Sequence, residues 1–145
     1  MTLSKNFWRR IAILTIAGGA AFWLSNFAIS RTPIAAEYRA ALSISYYPML
    51  LEALLGGLVI AACVSYCLLR FFDRLPTNNP ILRSVILSFI VLILVTLTIG
   101  GPSSFSATGN IPRYFLIGMS FNAIRFLTLG IAIGYGYDKV ISGTE

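Results

Sequence analysis

The stretch ILRSVILSFIVLILVTLTI, residues 81–99, decides the fold of this chain. No charged side chain follows Arg83 within it, and its only other hydrogen-bonding side chains are two serines and two threonines. At about 1.5 Å per residue, a helix of this length reaches across the roughly 30 Å hydrocarbon core of a bilayer. We therefore predict a transmembrane helix here, over residues 81–100.

Three further runs of comparable apolarity lie at residues 8–30, 48–70 and 112–137. The chain of 145 residues is 57% hydrophobic and only 11% charged, with a mean hydropathy of +0.82. So few charged side chains cannot cover a water-soluble globule, and four spans leave no room for a second domain. These observations predict one all-α integral membrane domain, an antiparallel bundle of four transmembrane helices.

The first run has a competing interpretation as a secretory signal peptide, because Ala28 and Ser30 resemble a small-residue cleavage site. The apolar core of a signal peptide is typically about 7 to 15 residues long. Here residues 11–30 carry no charge at all. This length favours a membrane span.

The connections between the spans differ in character. Thr32 and the proline after it predict the capped start of a short amphipathic helix at residues 33–45, which would lie at the membrane interface. The turn before the third span contains two prolines, and Asn79 is suited to cap the helix that follows. The Ser-, Gly- and Thr-containing segment that ends at Asn110 predicts a flexible loop.

The formal net charge of +6 indicates a topology rather than a polyanionic partner. The cations lie singly or in pairs at the ends of the apolar runs, and no basic stripe could follow a phosphate backbone, so we expect no nucleic-acid partner. On the side of the membrane that holds both termini, the basic positions are 5, 9, 10, 70, 74, 83 and 139, against 31, 39 and 113 on the other. By the positive-inside rule, we predict a multi-pass protein of the cell membrane with both termini in the cytoplasm.

Arg125 is the most informative residue, because an arginine at the middle of a transmembrane helix costs about 2.5–3.5 kcal/mol on insertion scales. It should therefore face a partner or water, and Gly118 and Asn122 share its face of the fourth span. Glu52 is the only acidic side chain within a predicted span and the natural counter-ion. We expect Arg125 to lie roughly 8 to 12 Å deeper in the membrane than Glu52, a gap that snorkelling could nearly close.

The polar residues Asn26, Glu52, Asn122 and Arg125 form one candidate intramembrane site with two interpretations. Glu52 and Arg125 could form an ion pair that fixes which helices are neighbours. Alternatively, the four residues could line a cavity for an anion, a proton or an amphipathic ligand. Both interpretations predict inward-facing side chains, so the sequence leaves both open.

Small residues on the second and fourth spans indicate packing rather than chemistry. Gly130 and Gly134 form a GxxxG pair opposite Arg125, where they would pack against another helix of the bundle or face another chain. Cys63 and Cys67 lie one turn apart inside the second span, away from a helix start that would activate a thiol. We interpret the two cysteines as small buried hydrophobic residues.

The sequence contains no catalytic triad, zinc-protease motif, phosphate-binding loop or carboxylate pair. We therefore expect no enzymatic activity, no cofactor and no metal site. The expected role is an accessory or interaction subunit that acts in the lipid bilayer through its buried helix faces, as a homo-oligomer or in a larger membrane complex. The alternatives are a small oligomeric channel or transporter with Arg125 and Glu52 in its polar site, and a lipid-binding protein. The sequence indicates no particular substrate.

Overall fold

The computed structural model describes residues 2–143, and within them it contains five α-helices, two short 3-10 helices and no strand. The helices are α1 (Thr2–Ser30), α2 (Pro33–Ala41), α3 (Tyr46–Phe71), α4 (Pro80–Ile99) and α5 (Ile111–Ser142). All but α2 are long and apolar enough to cross a membrane. The predicted all-α four-helix membrane bundle is confirmed.

The helix boundaries follow the local signals in the sequence. The Thr32 hydroxyl accepts a hydrogen bond from the Ala35 amide at 3.3 Å, and Asn79 Oδ1 accepts one from the Ile81 amide at 2.9 Å. Both predicted caps are therefore present. The interfacial helix ends at Ala41 rather than at residue 45, because the chain turns at Ser43, whose φ of 54° is left-handed.

The segment predicted as a flexible loop before α5 is more ordered than expected. A 3-10 helix forms at Pro102–Thr108, and the Thr108 hydroxyl closes it by donating to the Phe105 carbonyl at 2.6 Å. The Phe105 ring packs edge-on against Phe115 at a centroid distance of 6.0 Å. Sequence composition missed this aromatic contact, which fixes the segment against α5.

α1 and α5 form the centre of the bundle. α1 packs against α3 on one side and α5 on the other, while α4 packs mainly against α5 and more lightly against α3. Leu14 of α1, Leu68 of α3, and Leu129 and Ile133 of α5 are fully buried in the core. Burying these side chains against one another fixes which face each helix presents to its neighbours.

Gly130 and Gly134 pack inside this bundle. A β-carbon at Gly130 would stand 2.8 Å from the Val85 Cα, and one at Gly134 would stand 2.6 Å from Ser84 Oγ. The Ser84 hydroxyl also donates to the Gly130 carbonyl. Within the chain, α4 therefore occupies the face that carries these two glycines.

Arg83, which we expected only to mark a membrane edge, is 4% exposed. Its guanidinium carbon lies 3.7 Å from the centroid of the Phe72 ring. Its Nη2 donates to Asn78 Oδ1 at 3.2 Å, and its Nε donates to the Thr77 carbonyl. Arg83 thus ties the turn between α3 and α4 to the first turn of α4.

Replacing this residue, as Arg83→Leu, is expected to lower the free energy of unfolding by about 1–2 kcal/mol, through loss of the cation–π contact and the hydrogen bonds to the turn. Hydrogen exchange of the turn amides should accelerate more than exchange in α1. Arg74→Leu is the matched control, since Arg74 is exposed in the same turn. Equal effects of the two variants would contradict a tethering role for Arg83.

Candidate functional site

A cavity of about 180 Å³ lies at the end of the bundle where α2 crosses from α1 to α3. We call this end the α2 end and the cavity the α2 cavity. Its walls come from α1, α2, α5 and the start of α3. The polar residues that line it are Asn26, Ser30, Tyr38, Arg39, Asn122 and Arg125. Three of the four predicted site residues therefore meet here.

Arg125 lies at the middle of α5 but near the end of the bundle. The Thr128 hydroxyl donates to the Ser25 hydroxyl at 3.1 Å, which places these two residues at the same level. Arg125 is three residues nearer the start of α5, or about 4.5 Å, and is thus within one turn of Ser30, where α1 ends. α5 extends well past α1, so a mid-helix arginine is found close to the α2 end.

The guanidinium of Arg125 has little hydrogen-bonding compensation. Its Nη1 donates to Asn122 Oδ1 at 3.2 Å, one turn away on α5. Its Nε is buried without a hydrogen-bond partner, and no carboxylate within residues 2–143 forms an ion pair with it. Arg125 as a whole is half-buried, and a cation with so little hydrogen-bonding compensation is costly unless a polar or anionic group joins it.

Glu52 does not pair with Arg125 in this structure. A β-carbon at Gly57 would stand 3.2 Å from the Phe22 Cβ, and this contact places Glu52, five residues earlier on α3, about level with Phe27. Glu52 and Arg125 therefore lie at similar depths, and the expected depth difference is wrong because it ignored the offset of α5. The two side chains face different ways. Arg125 lines the α2 cavity, whereas Glu52 is exposed on the face of α3 that also carries Val59.

Asn26 lies in the cavity wall with its hydrogen-bonding capacity unused. The residue is 1% exposed, yet neither Asn26 Nδ2 nor Asn26 Oδ1 has a hydrogen-bond partner in the described chain. An unpartnered buried amide costs about 1–3 kcal/mol. The neighbouring Ser30 hydroxyl, in contrast, is satisfied by donating to the Phe27 carbonyl at 2.6 Å. A polar group in the cavity would relieve the cost at Asn26 after a small movement of its side chain.

α2 roofs the cavity and is tied to the helices on both sides of it. Glu37 forms an ion pair with Arg113 at 2.7 Å and accepts a hydrogen bond from the Tyr114 hydroxyl at 3.2 Å, both on α5. Arg39 Nη1 donates to the Ser30 carbonyl at the end of α1 at 3.0 Å. The only carboxylate of α2 is thus engaged outside the cavity, while Arg39 lines it.

Tyr38 extends from this roof onto α5. Its hydroxyl lies 2.7 Å from the position that a β-carbon at Gly118 would occupy, and its ring meets Phe121 edge-on at 5.6 Å. Burial raises the pKa of Tyr38 above its ordinary value, and the positive charge of Arg125 partly opposes that shift. Tyr38 therefore stays a neutral hydroxyl at physiological pH, able to donate a hydrogen bond.

The electrostatics of the α2 cavity favour an anion. Among the described residues, its lining contains two arginines and no Asp or Glu. Because Asn122 Oδ1 accepts from Arg125, the Asn122 amide nitrogen is left to donate. Arginine, amide and phenol donors that converge without a carboxylate match the oxygens of a carboxylate or phosphate group.

Sequence reasoning missed Tyr38 and Arg39 as lining residues. Both lie on the short interfacial helix, which we had treated as a connection. The signal that pointed to them was Gly118, because a residue without a side chain beside Arg125 leaves space that another side chain can enter. Nothing in the sequence indicated which side chain would enter it.

The two cysteines also differ from their interpretation as buried residues. Cys63 is exposed and Cys67 half-buried, both as free thiols on the outer face of α3. A lipid-facing surface accepts a small apolar thiol as readily as a core does, which explains the error. Within the described residues, no three His, Cys, Asp or Glu side chains gather to hold a metal ion.

Comparison with protein-family models, with curated proteins and with solved structures finds no match to this chain. The fold and the cavity therefore define it only as an all-helical, multi-pass membrane protein with a polar cavity beneath a short roofing helix.

Proposed function

We propose that this protein binds the anionic group of a membrane-resident molecule in the α2 cavity. One observation carries the proposal: the buried, unpartnered amide of Asn26 and the half-buried Arg125, whose Nε is buried without a hydrogen-bond partner, line the same cavity, and neither has an anionic partner within residues 2–143. Proteins rarely leave such groups unmet unless the compensation comes from outside the chain. A bound anion would accept hydrogen bonds from Asn26 Nδ2 and from the Arg125 guanidinium.

We also propose where in the membrane the α2 cavity lies. The excess of Lys and Arg on the side of the termini supports a cell-membrane protein with both termini in the cytoplasm. The α2 cavity then lies in the outer leaflet, close to the headgroup boundary. A ligand would reach it from the leaflet or the outer surface, with its charged group near the interface.

Binding is better supported than conduction. Toward the termini, the cavity is followed by the edge-on pair of Phe22 and Phe126, whose centroids lie 5.6 Å apart, and then by the fully buried Leu129 and Ile133. These side chains close the centre of the bundle in the described chain. Two roles stay predictions: a channel or transporter, and an accessory subunit of a larger complex. A binding site is compatible with both roles.

The test measures binding of oleate to the purified protein in a neutral detergent, by native mass spectrometry and titration calorimetry, with oleyl alcohol as the uncharged comparison. Arg125→Gln is expected to weaken oleate binding at least tenfold, since it removes a charge-assisted contact worth about 1.5–3 kcal/mol. Arg125→Lys should retain part of the affinity because it keeps the charge.

Glu52→Gln is the matched control. It also removes one charge at about the same depth, but from the exposed face of α3, so we expect oleate affinity to be unchanged. The proposal fails if oleate and oleyl alcohol bind equally well, or if Arg125→Gln and Glu52→Gln have the same effect.

A further inference from the structure

A second cavity, of about 220 Å³, adjoins the α2 cavity. We call it the α4 cavity, because α4, α5 and the 3-10 helix at Pro102–Thr108 form its walls. Its lining is predominantly apolar, with Val95, Ile99, Phe105, Phe115 and Met119 as the main contributors. Thr96 also lines it, but its hydroxyl is satisfied by donating to the Leu92 carbonyl at 2.8 Å.

The two cavities share three lining residues, Tyr38, Gly118 and Asn122. Tyr38 belongs to α2, and the other two lie one turn apart on α5. The Tyr38 side chain rests over Gly118, so a phenol ring held by a nine-residue helix stands between the cavities. A rotation of this side chain would join them into one continuous groove along α5.

The chemistry of the joined groove is divided along its length. At one end lie Arg125, Asn122 and Asn26, which supply cationic and amide groups, and no carboxylate of residues 2–143 lines that end. At the other end lie aliphatic and aromatic side chains with no unsatisfied polar group among those in the described part of the chain. A charged end followed by an apolar channel matches a molecule with an anionic head and a hydrocarbon tail.

We propose that the two cavities form one site for a single-chain anionic amphiphile, a long-chain fatty acid, whose carboxylate meets Arg125 and the amides of Asn26 and Asn122 and whose chain passes Tyr38 into the α4 cavity. This rests on the proposed function and names its ligand class. The Tyr38 side chain fills the space over Gly118, so its rotation would vacate the room of one phenol side chain, which suits one acyl chain. The rim residue Ile99 is 79% exposed, which opens the α4 cavity sideways toward lipid.

The first test compares chain lengths. The wild-type protein is expected to bind oleate at least tenfold more tightly than octanoate, because only the longer chain reaches the α4 cavity. Met119→Trp fills that cavity and should reduce oleate affinity at least tenfold while octanoate affinity is unchanged. Leu116→Trp is the matched control, since Leu116 lies on the same helix with 64% of its surface exposed.

The second test avoids the risk that Met119→Trp fails to fold. Palmitate with a photoactivatable diazirine at its terminal carbon is bound to the wild-type protein in neutral detergent and irradiated, and the adducts are mapped by peptide mass spectrometry. We expect adducts on residues 95–99 or 115–119. Adducts confined to α1 or α3 would overturn the inference.

The outcomes separate the two proposals. If Arg125→Gln abolishes oleate binding but Met119→Trp and chain length have no effect, the anion site stands and the tail site is wrong. If Arg125→Gln has no effect, both are wrong. If dioleoylphosphatidylglycerol displaces oleate and shows the same sensitivity to Met119→Trp, the occupant is a two-chain phospholipid and the single-chain assignment is overturned.

Discussion

Gly134→Val is expected to disrupt the packing of α4 on α5 and to give the largest loss of stability of any single substitution considered for this protein. The β-carbon of the new side chain would already collide with the Ile81 backbone and would stand 2.6 Å from Ser84 Oγ. The collision is severe because backbone atoms cannot move aside as a flexible side chain can. Overpacking typically costs about 1–3 kcal/mol, and the Ser84 to Gly130 hydrogen bond would be lost as well. We expect a total of about 3 kcal/mol or more.

The measurement is the thermal midpoint of the monodisperse peak in size-exclusion chromatography, in one detergent. Gly56→Val is the matched control, because it adds the same β-branched side chain to the interior of a membrane helix where no atom lies within 4 Å of the new β-carbon. Gly56→Val should behave like the wild type. Equal midpoints for the two variants would show that α4 does not lie against Gly134.

Asn26→Leu is expected to stabilise the protein and to weaken ligand binding. The leucine side chain has the branched shape of asparagine but no polar atoms, so it removes the cost of two unsatisfied buried groups, about 1–3 kcal/mol. It also removes the donor that we assign to the bound anion, and oleate affinity should fall about tenfold. A gain in stability accompanied by a loss of function is typical of binding sites.

Asn122→Leu provides the contrast. This substitution removes the one hydrogen bond that Arg125 Nη1 makes to Asn122 and leaves the guanidinium with less compensation, so it should lower the thermal midpoint as well as the affinity. Opposite changes in midpoint for two Asn→Leu variants in one cavity are the expected signature. If Asn26→Leu also lowers the midpoint, Asn26 has a structural role and the main support for the anion site is lost.

The spans and their caps could be predicted because they depend on local properties. The length of an apolar run sets a membrane helix, and Thr32 and Asn79 need only their own neighbours to act as caps. The common face of Gly118, Asn122 and Arg125 was equally accessible, since it follows from the helical repeat. These features required no knowledge of how the helices pack.

The direction in which Glu52 faces could not be predicted. Both sides of α3 are similarly apolar, so the sequence does not indicate which side of the helix faces lipid. The sequence also could not indicate which helix Gly130 and Gly134 contact, since small residues are suited to contacts within a chain and between chains alike. The depth of Arg125 was misjudged because each helix was placed as if its centre lay at the centre of the bilayer. The contacts between α1 and α5, such as that between Thr128 and Ser25, reveal the offset.

That offset has a consequence for how the protein is made. A translating ribosome delivers α5 after α1 to α4, so these four helices are already synthesised when Arg125 emerges. The end of α1 and the roofing helix precede Arg125 along the chain, so they can be in place to receive it and spare α5 from inserting as an isolated helix with a charge at its centre. The order of the helices along the gene thus supplies the environment that the most costly residue of the chain requires.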